Sequence, residues 1–303
     1  MNSLFFREVD ARVYAWLRIA LAIVILIWFW GLRPVTVLLF SDQGWSTMAD
    51  VRQFRPDMLE HFSLLFSHPD ATFVEGLLNL GFGLAILYGL GIATPLTGFL
   101  LWLVVASFRN KLPFADGGSG AVNQALFIML FLPTWKCVSV DALVLRRCGV
   151  TFSTQALNWG LTILRFQLCM AYFSSGLIKM MGAAWVDGSA LELALTNANH
   201  TRLPMVDGCL VFPLWLQAIL NAATLLVLAF EVLFPLLVLW KPLRVVSLIF
   251  GVLMHIGIEA TMDVGIFSYI MVSLYLSYLD PKALAEAWRA GLWTSFKQLF
   301  RRP

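Results

Sequence analysis

Charge is scarce in this chain. Of its 303 residues only 13% are Asp, Glu, Lys or Arg, while 60% are hydrophobic and the mean hydropathy is +0.80. Soluble domains carry about 45–50% apolar residues, so a water-exposed globular fold is excluded and a polytopic membrane protein is indicated. The net charge of +3 is small and its basic residues are spread among loops, which excludes nucleic acid as a partner. Cysteine is equally sparse. Cys137, Cys148, Cys169 and Cys209 form no C-x-x-C pair and no Cys/His group with zinc spacing, so neither a redox motif nor a metal site is expected. Of the four histidines, His61, His68 and His200 fall between the apolar runs, which leaves the His255-x-x-x-Glu259 spacing too poor in ligands for a metal centre. A Gly-x-Ser-x-Gly elbow is missing. The glycine-rich segment from Ala115 to Gly120 follows no strand and ends in no Lys-Ser/Thr pair, so it reads as a flexible connector rather than a phosphate cradle. Without an internal repeat, low-complexity tract or second soluble region, residues 1–303 read as one membrane domain.

What the chain does have is apolar runs. Windows able to cross roughly 30 Å of hydrocarbon lie at 13–32, 74–93, 95–108, 121–136, 157–178, 214–240, 243–262 and 264–280. This predicts an all-α, polytopic helical bundle of about eight transmembrane helices, with 95–108 and 121–136 short enough to be re-entrant or oblique. The first window is flanked by Arg7 and Arg12 and has no small-residue cleavage site after it, so it reads as a retained span. With a cytoplasmic N-terminus, twelve Lys or Arg residues fall inside and six outside, which supports an N-in, C-in topology. Residues 281–300 place Leu284, Trp288, Leu292, Phe296 and Leu299 on one face and read as a C-terminal interfacial amphipathic helix. The connection from Arg33 to Phe73 carries Trp45, Phe54, Phe62 and Phe66, too apolar for a disordered linker, and is expected to fold as a cap or re-entrant element.

Polar groups gather in the outer halves of the spans. Lys179 stands at the end of an otherwise apolar helix, before a Gly-Ala-Ala-Trp turn. A cation at membrane depth costs roughly 2.5–3.5 kcal/mol on insertion scales, so such charges pair, line a cavity or perform chemistry. Asn123 and Gln124 open the fourth window, and His255, Glu259 and Asp263 climb the seventh, so these groups are expected to share one site with Lys179. His255 and Glu259 are four apart on one helix face, where the carboxylate would orient or charge the imidazole. The competing reading is a packing network in which Glu259 or Asp263 neutralises Lys179. Glu231, beside Pro235 and nearer mid-membrane, is assigned to helix packing or to pairing with Arg165. Trp185 is assigned to interfacial anchoring.

Three motifs then stand in order: Phe173-Ser-Ser-Gly176-Leu-Ile-Lys179 with Trp185-x-x-Gly188, His255-Ile-Gly-Ile, and Gly265-Ile-Phe-Ser-Tyr269-Ile-Met271. Together they resemble the HTTM family, which contains the membrane domain of vitamin K-dependent gamma-carboxylase and its bacterial homologues, over about Leu17 to Leu279. The resemblance implies a membrane enzyme that oxygenates a lipid quinol, reduced vitamin K or another, in possible coupling to carboxylation or another modification of a peptide or protein substrate. Lys179 would be the base, reached when counted from Gly176; counted back from Trp185 the register slips by one residue. His255 would be its catalytic partner, with Asn123, Gln124, Trp185, Glu259 and Tyr269 binding the quinone. Asn123-Gln124 resembles an Asn-His pair of the carboxylase, and an amide does not titrate as imidazole does, so a proton relay is not expected there. Ser139-Val-Asp141 resembles its Ser-Val-Asp turn. The carboxylase continues into a large lumenal portion, whereas this chain stops soon after its last span, so a substrate-docking surface of that kind is not expected. The resemblance also implies a second class of function, a non-catalytic accessory protein for maturation or export of a secreted peptide or toxin. The expected setting is a bacterial inner membrane, with the site facing the periplasm and lipid as the surrounding partner.

Overall fold

In hydrocarbon a backbone has no water to bond, so apolar runs this long are driven into helices that satisfy their own amides. The computed structural model describes residues 5–45, 47–112, 117–205 and 210–282, and it bears this out. Among them, five helices are long and apolar enough to cross a membrane: 12–40, Ala71–Leu90, Trp159–Met180, Leu214–Leu239 and Lys241–Thr261. The protein is an integral membrane protein, and its described residues are helical but for one short two-stranded ribbon. Its chain divides into two units, residues 1–164 with 276–303, and residues 165–275.

The first unit opens with strand β1 (Glu8–Asp10), paired antiparallel to β2 (Gln155–Leu157) with Val9 opposite Ala156. Asp10 ends β1 by binding the backbone N–H of Arg12 at 3.0 Å and its guanidinium at 2.6 Å. That hydrogen-bonded guanidinium holds the Asp10 carboxyl below the usual aspartate range. Helix α1 (Arg12–Leu32) leads through a 3₁₀ turn into α2 (Thr36–Phe40). Next come α3 (Met48–Phe54), α4 (Ala71–Leu90) and α5 (Thr94–Lys111), then α6 (Gly117–Met129) and α7 (Val140–Arg147).

Boundaries follow local chemistry. Thr47 and Asp50 form a reciprocal capping box on α3. Asp70 caps α4 by accepting from Phe73 N–H at 2.8 Å. The Ser-Val-Asp turn serves two helices: Ser139 caps α7 through Ala142 N–H at 2.9 Å, and Asp141 takes the N–H groups of Ala93 and Thr94 at the start of α5 at 2.8 and 2.7 Å. Gly117–Gly120, expected to be connector, is instead the first turn of α6, and α6 ends four residues before Pro133. Its 13 residues reach about 20 Å at 1.5 Å each, short of a span. Where 264–280 was read as a span, helix runs over Phe267–Tyr278, and the interfacial helix expected at 281–300 lies almost wholly outside the described residues.

Two buried cations brace this unit. Arg18, fully buried, donates to the carbonyls of Thr134, Val138 and Gly89 at 2.6, 2.5 and 3.3 Å, which ties α1 to the end of α4 and the turn before α7. Lys111 donates to Phe40 O at 2.7 Å and Leu65 O at 3.4 Å. Ser63 Oγ donates to Ser107 O at 2.8 Å, and Asn110 donates to Phe62 O at 2.7 Å. The connection from Arg33 to Phe73 is therefore folded, and the C-terminal turns of α5 hold it. Within the connection Phe40 packs edge-on against Phe108 of α5 at 5.0 Å, and Phe108 packs in a tilted pair on Phe29 of α1 at 5.8 Å.

The second unit holds the C-terminal part of α8 (Trp159–Met180), the short α9 (Ala183–Val186) and α10 (Ala190–Thr196), then α11 (Leu214–Leu239), α12 (Lys241–Thr261) and α13 (Phe267–Tyr275). Gly176 lets α8 lie against α11, because a Cβ there would stand 2.8 Å from Val232 Cγ2 and 2.9 Å from its backbone nitrogen. The connection after α10 is anchored to the end of α12 by a Thr201–Met262 bridge and by Asp263 N–H donating to His200 O at 2.7 Å.

Two outcomes follow. Gly176→Ala forces α8 off α11 and lowers stability by about 1–3 kcal/mol, whereas Gly257→Ala, with open space around its Cβ, gains up to about 1 kcal/mol of helix propensity; thermal unfolding in detergent reads both. Because the Asp10 carboxyl titrates below its unfolded range, its contribution is complete above about pH 4 and is lost as pH falls through the lower folded value. The protection factor of the Ala11 amide, which bonds Thr154 O, falls on acidification in the native protein, and in Asp10→Asn that fall disappears.

Candidate functional site

Tyr172, Gly176 and Lys179 repeat at helical spacing and form the inward stripe of α8, while Leu177, Ile178 and Met180 beside them are exposed. The helix stops just after the lysine. Gly182 N–H closes back on Lys179 O at 2.9 Å, and this turn carries Trp185 over the amine, with Nζ 4.4 Å from the ring centroid. A cation facing an indole is attracted to the negative face of the ring.

Helix α11 supplies the counter-charge. Glu231 is buried, and its Oε1 accepts from Lys179 Nζ at 2.6 Å. Glu231 Oε2 is buried with no hydrogen-bond partner. Pro235, four residues on, has no N–H to give the Glu231 carbonyl, so the helix ladder is interrupted at the turn that bears the carboxylate. Phe230 and Phe234, on the same side of α11, pack on the Tyr172 ring at 5.5 and 4.3 Å.

Helix α12 presents Ser247, Gly251 and His255 as its buried stripe. Tyr172 Oη lies 2.6 Å from His255 Nε2 and also bonds the hydroxyl of Tyr275, on α13. Gly251 makes this possible, because the Tyr275 hydroxyl fills the place a Cβ would take. His255 Nδ1, like Glu231 Oε2, is buried without a partner. Phe230 and Phe234 flank Glu231 on α11 and hold the Tyr172 ring, so the ion pair and the hydroxyl–imidazole chain lie in one neighbourhood where α8 meets α11.

The expected residues are thus divided. Lys179, Trp185 and His255 fall in this neighbourhood. Glu259 does not serve His255: it accepts from Tyr269 Oη at 3.0 Å and pairs with Arg202 at 2.9 Å, with Asp263 at 3.5 Å from the same guanidinium. The carboxylate expected beside the imidazole is replaced by a phenol, and neither Glu259 nor Asp263 neutralises Lys179. Glu231, expected to be structural or to pair with Arg165, is the lysine's partner. Asn123, with Oδ1 buried and unpaired, and the exposed Gln124 lie on α6 in the first unit. Sequence reasoning passed over Tyr172, Tyr275 and Arg202. Tyr172 was accessible from its spacing, seven residues before Lys179 and therefore on the same face. Tyr275 and Arg202 gave no local signal, since their roles arise from contacts between distant segments. Among the described residues no cluster of three His, Cys, Asp or Glu side chains could hold a metal.

Residues 124–282 match the model of the HTTM domain, a stretch that holds Lys179, Glu231, His255, Glu259 and Tyr269. Sporulation-delaying protein SdpB of Bacillus subtilis (strain 168) is 23% identical over 188 residues, covering 61% of this chain and 58% of SdpB. No solved structure matches the chain. The family match takes in more than half of the sequence and includes the paired lysine and buried histidine, and on that ground the chain belongs to the HTTM family.

Proposed function

We propose that this protein is a membrane enzyme with gamma-carboxylase-like chemistry, in which a lysine amine initiates oxygenation of a lipid quinol and that reaction is coupled to modification of a peptide or protein substrate. The observation that carries the reading is the 2.6 Å Lys179–Glu231 bond, in which the lysine side chain keeps 24% of its surface exposed while the glutamate keeps 6%. The amine is reachable, and its proton has a buried place to go.

The donor set suits a quinol. An amine, an imidazole nitrogen without a partner and an indole face offer a base, a hydrogen-bonding group and an aromatic wall to a ring bearing two hydroxyls. A reduced lipid quinol, when bound, supplies electrons to oxygen and the strongly basic product that the carboxylase resemblance calls for. Lys179 Nζ passes a proton to Glu231 Oε1 along their shared bond, and the amine lone pair then takes a proton from a hydroxyl presented to it. Trp185 holds the restored ammonium in place through its ring face. His255 orients or protonates the facing oxygen. General-base action of this kind is worth about 10²–10⁴ in rate. Asn123, Gln124, Glu259 and Tyr269 remain proposed quinone contacts, with Glu259 and Tyr269 entering as a bonded pair. The same reading places the chain in a bacterial inner membrane, with both ends inside and the lysine near the periplasmic face.

A second reading draws on the pair itself. An ammonium matched by a buried carboxylate is also how a structural counter-ion is accommodated, and likeness to a protein named sporulation-delaying is compatible with an accessory role in the maturation or export of a secreted peptide. The enzymatic reading is preferred because the lysine stays partly open.

Oxygen uptake with vitamin K hydroquinone, measured on protein in lipid nanodiscs, separates the two. Lys179→Met with Glu231→Gln, which removes both charges together, is expected to stay monodisperse and to lose uptake by at least about 100-fold. Normal uptake by that folded double variant rules out Lys179 as base. No uptake by the native protein favours the accessory role.

A further inference from the structure

The buried Tyr275–Tyr172–His255 chain contains two hydroxyls and one imidazole, and counting its protons assigns their positions. Each phenol donates once, and neutral imidazole donates from one nitrogen and accepts at the other. If His255 Nε2 carried the proton, it would donate to Tyr172, and Tyr172 would donate to Tyr275. The Tyr275 proton would then have no acceptor and Nδ1 would be a bare acceptor, because Tyr275 has no other hydrogen bond and Nδ1 has none at all. In the opposite direction Tyr275 donates to Tyr172, Tyr172 donates to Nε2, and one buried donor is left over: the Nδ1–H of His255. Each buried donor or acceptor left without a partner carries a desolvation penalty, so the second arrangement, with one defect rather than two, prevails.

We infer that Tyr172 and Tyr275 are positioning residues that lock His255 in its Nδ1–H form, and that this buried N–H is a binding group for an acceptor oxygen of the ligand, of the quinone carbonyl or quinol oxygen class. The identity of the ligand rests on the proposed function; the tautomer does not. His255, 1% exposed, has its ring held by Phe267, with centroids 5.7 Å apart, and its Nε2 is occupied by Tyr172, which leaves Nδ1 as the edge offered to a ligand. Tyr172 is in turn wedged by Phe230 and Phe234, so the direction of the relay is built into aromatic packing rather than supplied by a charge. Sequence spacing pointed to a carboxylate as the partner of this histidine. A phenol leaves the imidazole neutral and gives it a definite donor edge.

Nitrogen-15 NMR of ring-labelled histidine in the full chain tests this without any turnover assay, with His255→Gln marking the signal among the four histidines. The expected result is a protonated Nδ1 and an unprotonated Nε2. In Tyr172→Phe, which keeps the ring and its packing, the proton is expected to move to Nε2. Addition of menadione, an oxidised naphthoquinone, is expected to shift the Nδ1–H signal of the native protein and to leave the His255 ring signals of Tyr172→Phe unchanged. An unprotonated Nδ1 in the native protein, or a tautomer unchanged by Tyr172→Phe, overturns the assignment whatever becomes of the quinol reading. A protonated Nδ1 that ignores menadione overturns the ligand role while the tautomer stands.

Discussion

A lysine ammonium and a glutamate carboxylate held 2.6 Å apart in a membrane helix pair set the terms for the second unit of this protein. Neither charge is tolerable there alone, since a lone buried ion costs several kcal/mol even after relaxation. Their union requires α8 and α11 to lie close, and Gly176 removes the side chain that would keep them apart. It also places Phe230 and Phe234, the neighbours of Glu231 on α11, against Tyr172, two turns before Lys179 on α8. The ring contacts and the ion pair are therefore consequences of one register between two helices.

From Tyr172 the same register extends to α12 and α13. Its hydroxyl is shared by His255 and Tyr275, and Gly251 clears the room the second phenol occupies. A charged pair and a neutral hydrogen-bonded chain thus stand side by side, one able to exchange a proton and the other able to aim one. Glu231 Oε2 and His255 Nδ1 are the polar atoms these two groups leave unused. Buried polar atoms are ordinarily satisfied, and it is these two, beside a partly exposed amine, on which the proposed ligand role rests. In the first unit the buried cations act as clasps instead: the terminal nitrogens of Arg18 and the amine of Lys111 donate to backbone carbonyls.

Much of the architecture was legible in the residues. Each apolar window has a helix within it, because hydrophobicity and the need to satisfy backbone amides act locally. The positions of Lys179 and His255 were legible for a related reason: a polar side chain in an apolar run must have a purpose. Their partners were not. Glu231 against Lys179, and Tyr172 rather than Glu259 against His255, depend on which helices meet and at what register, and a spacing of four within one helix says nothing about that. Glu259 has the right spacing for His255, but Arg202, brought up by the connection after α10, takes it instead. The glycine-rich start of α6 misled in the opposite sense, since glycine weakens a helix without forbidding it.

The account stands or falls on whether the two charges are energetically one unit, and a double-mutant cycle on thermal stability measures that directly. Lys179→Met is expected to lower stability by about 3–5 kcal/mol, the cost of stranding the buried Glu231 carboxylate, and Glu231→Gln by less, because the ammonium it strands is partly exposed. Combined, they should cost clearly less than the sum, with a coupling of up to about 3 kcal/mol. Losses that add to within about 0.5 kcal/mol would show two independent groups and contradict the account.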